Sequence, residues 1–269
     1  MPSHAGRQSH SRNDLLTVGK SGGTLKPKPE LYLFVGDLHV GAPEGLAVRQ
    51  KITSDRQEWL RDRWEDLTKR IKRESKTASV RLMLGGDLVD LPDIEDGTEH
   101  AVDLLRPMAN VASEVWGVYG TEYHAGKNSK EDKSVYGQLG ARDRRRNWHH
   151  WLTLPWGILS WAHHGLKIGK DPWTELNQHK ALAERTYWRR LQRRREPVRW
   201  MMRHHLHRMP DGRPVEWRGI QVAVCPCWKF PDSFIGKVDP GGEEPTFGAV
   251  IIAGTSMEPI IYEPPDSLL

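Results

Sequence analysis

The chain has little cysteine, no long apolar run and little net charge outside one stretch, and each shortage narrows what it can be. Cysteine occurs twice in 269 residues, as Cys225 and Cys227. A single intervening residue is too few for an ordinary disulfide and does not match the usual C-x-x-C zinc spacing. The two thiols are therefore expected to lie buried and reduced near the end of a strand. No apolar run approaches the roughly 20 residues of a membrane-spanning helix, and the first residues lack the apolar core of a secretion signal. A cytoplasmic protein with no membrane partner is expected.

The formal charge of +5 is unevenly placed. Residues 1–29 carry Arg7, Arg12, Lys20, Lys26 and Lys28 against Asp14 alone, in a stretch rich in Ser, Gly, His and Pro. It is read as a disordered basic tail, 1–29, ahead of one domain, 30–269. The body is then nearly neutral, so overall basicity is a weak argument for nucleic acid. What basicity remains is local, at Arg142–Arg146 and again from Arg185 to Arg199.

Within the body, apolar runs alternate with helical periods. Leu31–Val35 reads as a strand running into Gly36 and Asp37, Val80–Leu84 as one ending at Gly85-Gly86-Asp87, and Val115–Tyr119 as one ending at Gly120. Between them, Ser54–Ser75 and Glu99–Ala112 have helical spacing, with Leu60, Trp64, Leu67 and Ile71 on one face of the first. This β-α-β-α-β start predicts an α/β fold, a sheet with helices on its faces and ligands at the carboxyl ends of the strands. Gly157–Ala162 is a further strand. A helix follows from Asp171, with Asp as cap and Pro172 in its first turn, to Glu196. Val198–Met202, Ile220–Cys225 and Phe247–Ala253 read as strands, and Met257–Tyr262 less clearly so.

Five short motifs sit at or just after these strand ends, in this order: Asp37-Leu-His39, Gly86-Asp87-Leu-Val-Asp90, Gly120-Thr121-Glu122-Tyr123-His124, His163-His164-Gly165 and His205-Leu-His207. Carboxylates and imidazoles gathered in this way suit a divalent-metal site. In an extended segment, period two puts Asp37 with His39, and His205 with His207, on one face, while His204 points away. His163 would likewise face opposite to His164. The bland alternatives are capping carboxylates and surface histidines. His149 and His150 match no motif and read as surface or packing residues.

This order of motifs resembles the calcineurin-like metallophosphoesterase superfamily over about residues 31–262, in a short Arg- and Trp-rich form that would suit a phage genome. The resemblance implies an αββα sandwich of two mixed sheets flanked by helices, holding two divalent ions. One ion would take Asp37, His39, Asp87 and His207. The other would share Asp87 and add His164, His205 and a group in Thr121–Glu122. Asp90 would support the site from behind. The third motif departs from the family's Gly-Asn-His, in which Asn binds the second metal and His protonates the leaving group. Either Thr121 or Glu122 takes the Asn position, or the second metal is held more weakly; His124 is the candidate acid.

The implied activity is phosphoester hydrolysis by a hydroxide held between two metals, Mn²⁺ being favoured over Fe, Zn²⁺ or Co²⁺. A phosphodiester of nucleic acid or a nucleotide is the expected substrate, as for a phosphodiesterase or nuclease. The alternatives are a small-molecule phosphomonoesterase and a degenerate module that only binds nucleic acid or a partner. The helix from Asp171 is read as a charged insertion at about 170–197. Its Arg189, Arg193 and Arg194 beside Trp188 are candidates for binding substrate, with DNA or RNA as partner; a solvated helix face with Glu partners is the plain alternative.

Overall fold

The computed structural model describes residues 27–90, 96–166, 172–232 and 244–269. Most of the expected tail and the capping Asp171 lie outside the described residues. The first sheet has the order β11-β10-β1-β2-β3-β4. Its strands are β1 (Glu30–Val35), β2 (Ser79–Leu84), β3 (Glu114–Val118), β4 (Arg146–Asn147), β10 (Phe247–Ala253) and β11 (Ser256–Tyr262). The first four run parallel, β10 pairs antiparallel with β1, and β11 antiparallel with β10. The second sheet has the order β5-β6-β7-β9-β8. It consists of β5 (His149–Leu154), β6 (Gly157–Ala162), β7 (Val198–Arg203), β8 (Val215–Trp217) and β9 (Ile220–Val224), with β6, β7 and β9 parallel.

Alternation along β1 shows how the layers arise. Leu31, Leu33 and Val35 face one core with α1 (Asp55–Glu74), α2 (Gly97–Ala109) and α4 (Lys130–Gln138); Tyr32 and Phe34 face a second core between the sheets. There Phe34 meets Trp161 edge to face at 5.7 Å. A third core, with Ile158, Met201 and Val222, is covered by α5 (Pro172–Gln192) through Ala183. The result is the expected four-layer α/β arrangement of two mixed sheets flanked by helices. The stretch expected to be an insertion is the crossover helix between β6 and β7, closing the outer layer over the second sheet.

Two local features show why these segments hold. Ser54 accepts from the Gln57 N–H at the start of α1, satisfying one of the free donors of a helix start. Trp64 is buried and donates its indole N–H to the Leu104 carbonyl at 3.0 Å, joining α1 to α2. Truncating such a residue to Ala costs about 3–5 kcal/mol. Among the described residues no helix is long and apolar enough to cross a membrane. Cys225 and Cys227 are free and buried, as expected.

Candidate metal centre

The loops after β1 and β2 are laced together by backbone alone. The Asp37 N–H donates to the Gly86 carbonyl at 2.9 Å, His39 N–H to that of Asp87 at 3.0 Å and Val40 N–H to that of Leu88 at 3.1 Å. The pleat of a strand does not align the side chains here, contrary to the period-two expectation. Asp37, His39, Asp87, His205 and His207 have φ of 50°, 46°, 47°, 74° and 58°. They are five of the ten non-glycine residues with positive φ among those described. Each such turn costs on the order of 1–3 kcal/mol and persists only where its surroundings enforce it. Half of these strained residues thus converge on one spot.

Asp37 and Asp87 are fully buried. Their side-chain ion partners among the described residues are imidazoles. His207 Nε2 lies 3.5 Å from Asp37 Oδ1, and His204 Nδ1 3.5 Å from Asp37 Oδ2. His163 Nε2 lies 3.1 Å from Asp87 Oδ2, and His205 Nδ1 4.0 Å from it. His39 and His207 bring their Nε2 atoms to 3.1 Å. Donor atoms of Asp37, His39 and His207 fall within 4.8 Å of one another, as do those of His163, His164 and His205. Asp87 joins His39 and His124 in a third such group, and Asp37 and His163 in a fourth. His205 Nδ1 is buried with no hydrogen-bond partner. An unpartnered imidazole nitrogen and two buried carboxylates faced by imidazoles are what cations would satisfy, and a nitrogen–oxygen donor set without thiolate suits Mn²⁺, Fe, Zn²⁺ or Co²⁺.

The electrostatics agree. Burial opposes ionisation of Asp37, but the imidazoles of His204 and His207, each 3.5 Å away, hold its carboxyl well below the ordinary value. Burial likewise opposes Asp87, and the charge and hydrogen bond of His163 bring it down to about 2. Burial pulls His163 down, but Asp87 and then Asp37 lift it to about 9. Burial takes His39 and His205 to about 4, leaving them in the neutral form that binds metal.

His163 corrects an expectation. It does not face away from His164: both join the same group, because the chain has left the pleat after Ala162. Its Nδ1 is fixed 2.6 Å from the Gly85 carbonyl, which aims Nε2 at Asp87. His204, expected to point away, instead reaches Asp37 and accepts from the Trp161 indole N–H at 3.1 Å.

Asp90 fastens two imidazoles. His124 Nδ1 lies 2.7 Å from one of its oxygens and His39 Nδ1 3.2 Å from the other. Burial opposes the Asp90 charge, but these two bonds hold its carboxyl far below the usual range. Lys229 Nζ sits 3.5 Å from Asp90 and 3.0 Å from Asp232.

The third motif resolves into one turn of helix, α3 (Glu122–Ala125), capped by Thr121. Thr121 donates its N–H and Oγ1–H to Asp87 Oδ1 at 2.6 and 3.0 Å, and Oγ1 accepts from the His124 N–H. Glu122, a candidate ligand from the sequence, is exposed and accepts from the Asn128 N–H at 2.9 Å. It belongs to none of the ligand groups among the described residues: one helical turn swings it outward while Thr121 keeps the place beside Asp87. Sequence reasoning also passed over Asp132. That residue is buried and accepts from Leu88 N–H at 3.1 Å and Gly120 N–H at 2.8 Å, pinning both loops beneath Asp87. Burial and the Asp87 charge push its carboxyl up to about 7.

Arg189, Arg193 and Arg194 are not brought to this cluster. A crossover helix returns the chain to the start of the next parallel strand, so the end of α5 lies at the amino-terminal end of β7, while His204 and His205 follow its carboxyl end. At about 3.3 Å per residue the six-residue strand separates the two by about 20 Å. His150 is buried and bonded to the Gly117 carbonyl at 3.1 Å, a packing residue.

No protein-family profile and no curated protein matches the chain. Among solved structures it is similar to a dimetal phosphatase from Danio rerio, at 10% identity and a TM-score of 0.42, over 88% of this chain and 100% of the other. It is also similar to a metallophosphoesterase from Sphaerobacter thermophilus, at 12% identity and a TM-score of 0.34, over 87% of this chain and 89% of that one. Similarity of this degree assigns no role to any residue here.

Proposed function

We propose that this chain is a phosphoesterase working with two divalent ions, Mn²⁺ in preference to Fe, Zn²⁺ or Co²⁺, and that it cleaves phosphodiesters, with nucleotides or nucleic acid as the natural class. The observation that carries the reading is the convergence of Asp37 and Asp87, both fully buried, with histidines from three further loops into overlapping groups linked through Asp37, His39, Asp87 and His163. Asp37, His39, Asp87 and His207 would hold one ion. Asp87, His163, His164 and His205 would hold the other. Such ions, when bound, neutralise charge on phosphoryl oxygens and make water nucleophilic at neutral pH.

The remaining work falls to the chain's own groups. Asp90 fixes His124 by Nδ1 and leaves Nε2 open, the geometry of an acid that protonates a leaving oxygen. Thr121 and Asp132 hold Asp87 and its loop from behind. Lys229 is balanced by Asp90 and Asp232, so its charge does not serve the second negative charge of a monoester, which favours a diester. The buried free thiols suit a reducing, cytoplasmic setting.

The test is hydrolysis of bis-p-nitrophenyl phosphate and p-nitrophenyl phosphate side by side, with Mn²⁺ and with EDTA. Mn²⁺-dependent turnover of the diester, lost in Asp87→Asn, is expected. Preference for the monoester would move the assignment to a phosphomonoesterase. Turnover of neither, together with no bound metal after dialysis against Mn²⁺, would sink the enzymatic reading and leave a binding module.

A further inference from the structure

The opposite end of the second sheet carries a feature that the metal centre does not use. A cavity of about 580 Å³ opens at the starts of β6, β7 and β9, between Trp156, Tyr187, Glu196, Arg199, Glu216 and Arg218. Beside it the last turns of α5 and the turn that follows present Arg185, Arg189, Arg193, Arg194 and Arg195, all exposed. None of the five has a carboxylate partner among the described residues. Their charge is thus left to solvent or to a ligand.

Aromatic rings are interleaved with the cations. Trp151, Trp188 and Trp217 are 47%, 44% and 39% exposed. Arg190 lies over the Trp151 ring at 5.0 Å, Arg218 over Trp188 at 5.6 Å and Lys180 over Trp217 at 5.7 Å. Glu184 accepts the indole N–H of both Trp188 and Trp217, each at 2.7 Å. The Trp188 and Trp217 rings are thus fixed in place while much of their surface stays open to solvent. Fixing them beforehand removes part of the ordering cost of binding.

We propose that this face is a single-stranded nucleic-acid-binding site, separate from the metal centre. Guanidinium groups take phosphates, and open indole faces stack unpaired bases whatever their sequence. A duplex would engage the arginines and leave the tryptophans idle. On the cavity wall Glu196 and Glu216 offset Arg199 and Arg218, so the cavity suits an uncharged base and the unpaired arginines of α5 and the turn after it the backbone. Because the strand length sets this face about 20 Å from the metal cluster, it holds a neighbouring segment of chain rather than the phosphate being cut. Binding needs no turnover, so the proposal stands or falls apart from the assigned hydrolysis.

The test is anisotropy with a fluorescein-labelled oligothymidylate of about 20 nucleotides and with a duplex of equal length, long enough to span more than one stacking site. The full chain is used in EDTA, with salt varied from about 50 to 200 mM. Tighter binding of the single strand is expected. Arg189→Gln, Arg193→Gln and Arg195→Gln together should weaken it at least about tenfold and lower the salt slope by about 2, at roughly 0.7 per single-strand phosphate contact. Arg194 is kept, since its φ of 50° makes a change there a backbone perturbation. Trp188→Leu should weaken binding without altering the slope, with melting curves confirming that both variants fold. No binding of oligothymidylate, equal or tighter binding of the duplex, or an unchanged slope in the triple variant would each overturn the proposal.

Discussion

His163 Nε2 lies 3.1 Å from the Asp87 carboxylate while its Nδ1 is anchored to the Gly85 carbonyl at 2.6 Å. Without metal this is an ion pair: the proton on Nε2 stands where a cation would. Charge from Asp87 overcomes burial and lifts the imidazole from 6.5 to about 9. A divalent ion must displace that proton. Apparent metal affinity should therefore rise by about tenfold per pH unit from this group alone up to pH about 9. Titration with Mn²⁺ at a series of pH values measures it; affinity flat across pH 7 to 9 would remove His163 from the ligand set.

The same pair sets a pH dependence of stability in the metal-free protein. The folded value lies above the unfolded one, so the contribution is fully present below pH 6.5 and lost as pH rises through about 9. The melting temperature in EDTA should fall by several degrees across that window, by more than in His163→Gln. Equal profiles for the two proteins would show that the ion pair does not form.

His124 is held to Asp90 at 2.7 Å and ought to act only when the leaving oxygen needs a proton. For a diester with an alkoxide leaving group, His124→Gln should lower kcat about 10²-fold or more. For bis-p-nitrophenyl phosphate, whose leaving group is stable as an anion, the loss should be small. An equal loss on both substrates would mean that His124 serves the metals or the fold rather than the proton.

Much of this was legible in the sequence, and the misses have physical reasons. Asp37, His39, Asp87, His205 and His207 stand out because each follows an apolar run, and the runs place strand ends side by side. What the sequence does not display is the backbone at those residues: left-handed φ at His39 and His205 is stabilised by neighbours remote in the chain. The same holds for His163, whose direction is decided by the Gly85 carbonyl, a residue 78 positions away. Asp132 lies in a run of Lys, Glu and Asp that reads as a solvated helix, and only the fold reveals that it is buried under Gly120 and Leu88. Glu122 and the α5 arginines were placed by chemistry without topology, and one helical turn and one crossover direction moved them elsewhere.

Gly120 is required by space. A Cβ there would stand 2.2 Å from both the backbone nitrogen and the Oδ1 of Asp87. Gly120→Ala should push the Asp87 carboxylate out of position, with loss of at least one metal equivalent by elemental analysis and little change in secondary structure. Gly140 supplies the control, because a Cβ there meets nothing within 4 Å, although its φ of +81° makes a small stability loss expected. Full metal content in Gly120→Ala would show that the loop has room that this packing denies.

Thr121 bonds to Asp87 through its N–H and its hydroxyl. Its Oγ1 does two jobs, donating to Asp87 and accepting from the His124 N–H at 3.3 Å. Thr121→Val keeps the shape and removes both. Losing the cap should cost about 1 kcal/mol, and losing the donor that orients a shared ligand should weaken metal binding about 10–100-fold. Thr121→Asn is the informative partner, since Asn caps as well as Thr and adds an amide oxygen near the second group. Calorimetric titration with Mn²⁺ should then show two equivalents with the weaker one tightened, and diester turnover at limiting Mn²⁺ should rise. If Thr121→Val binds metal and turns over like the parent chain, Thr121 is only a cap, and the second ion depends on Asp87, His163, His164 and His205 without it.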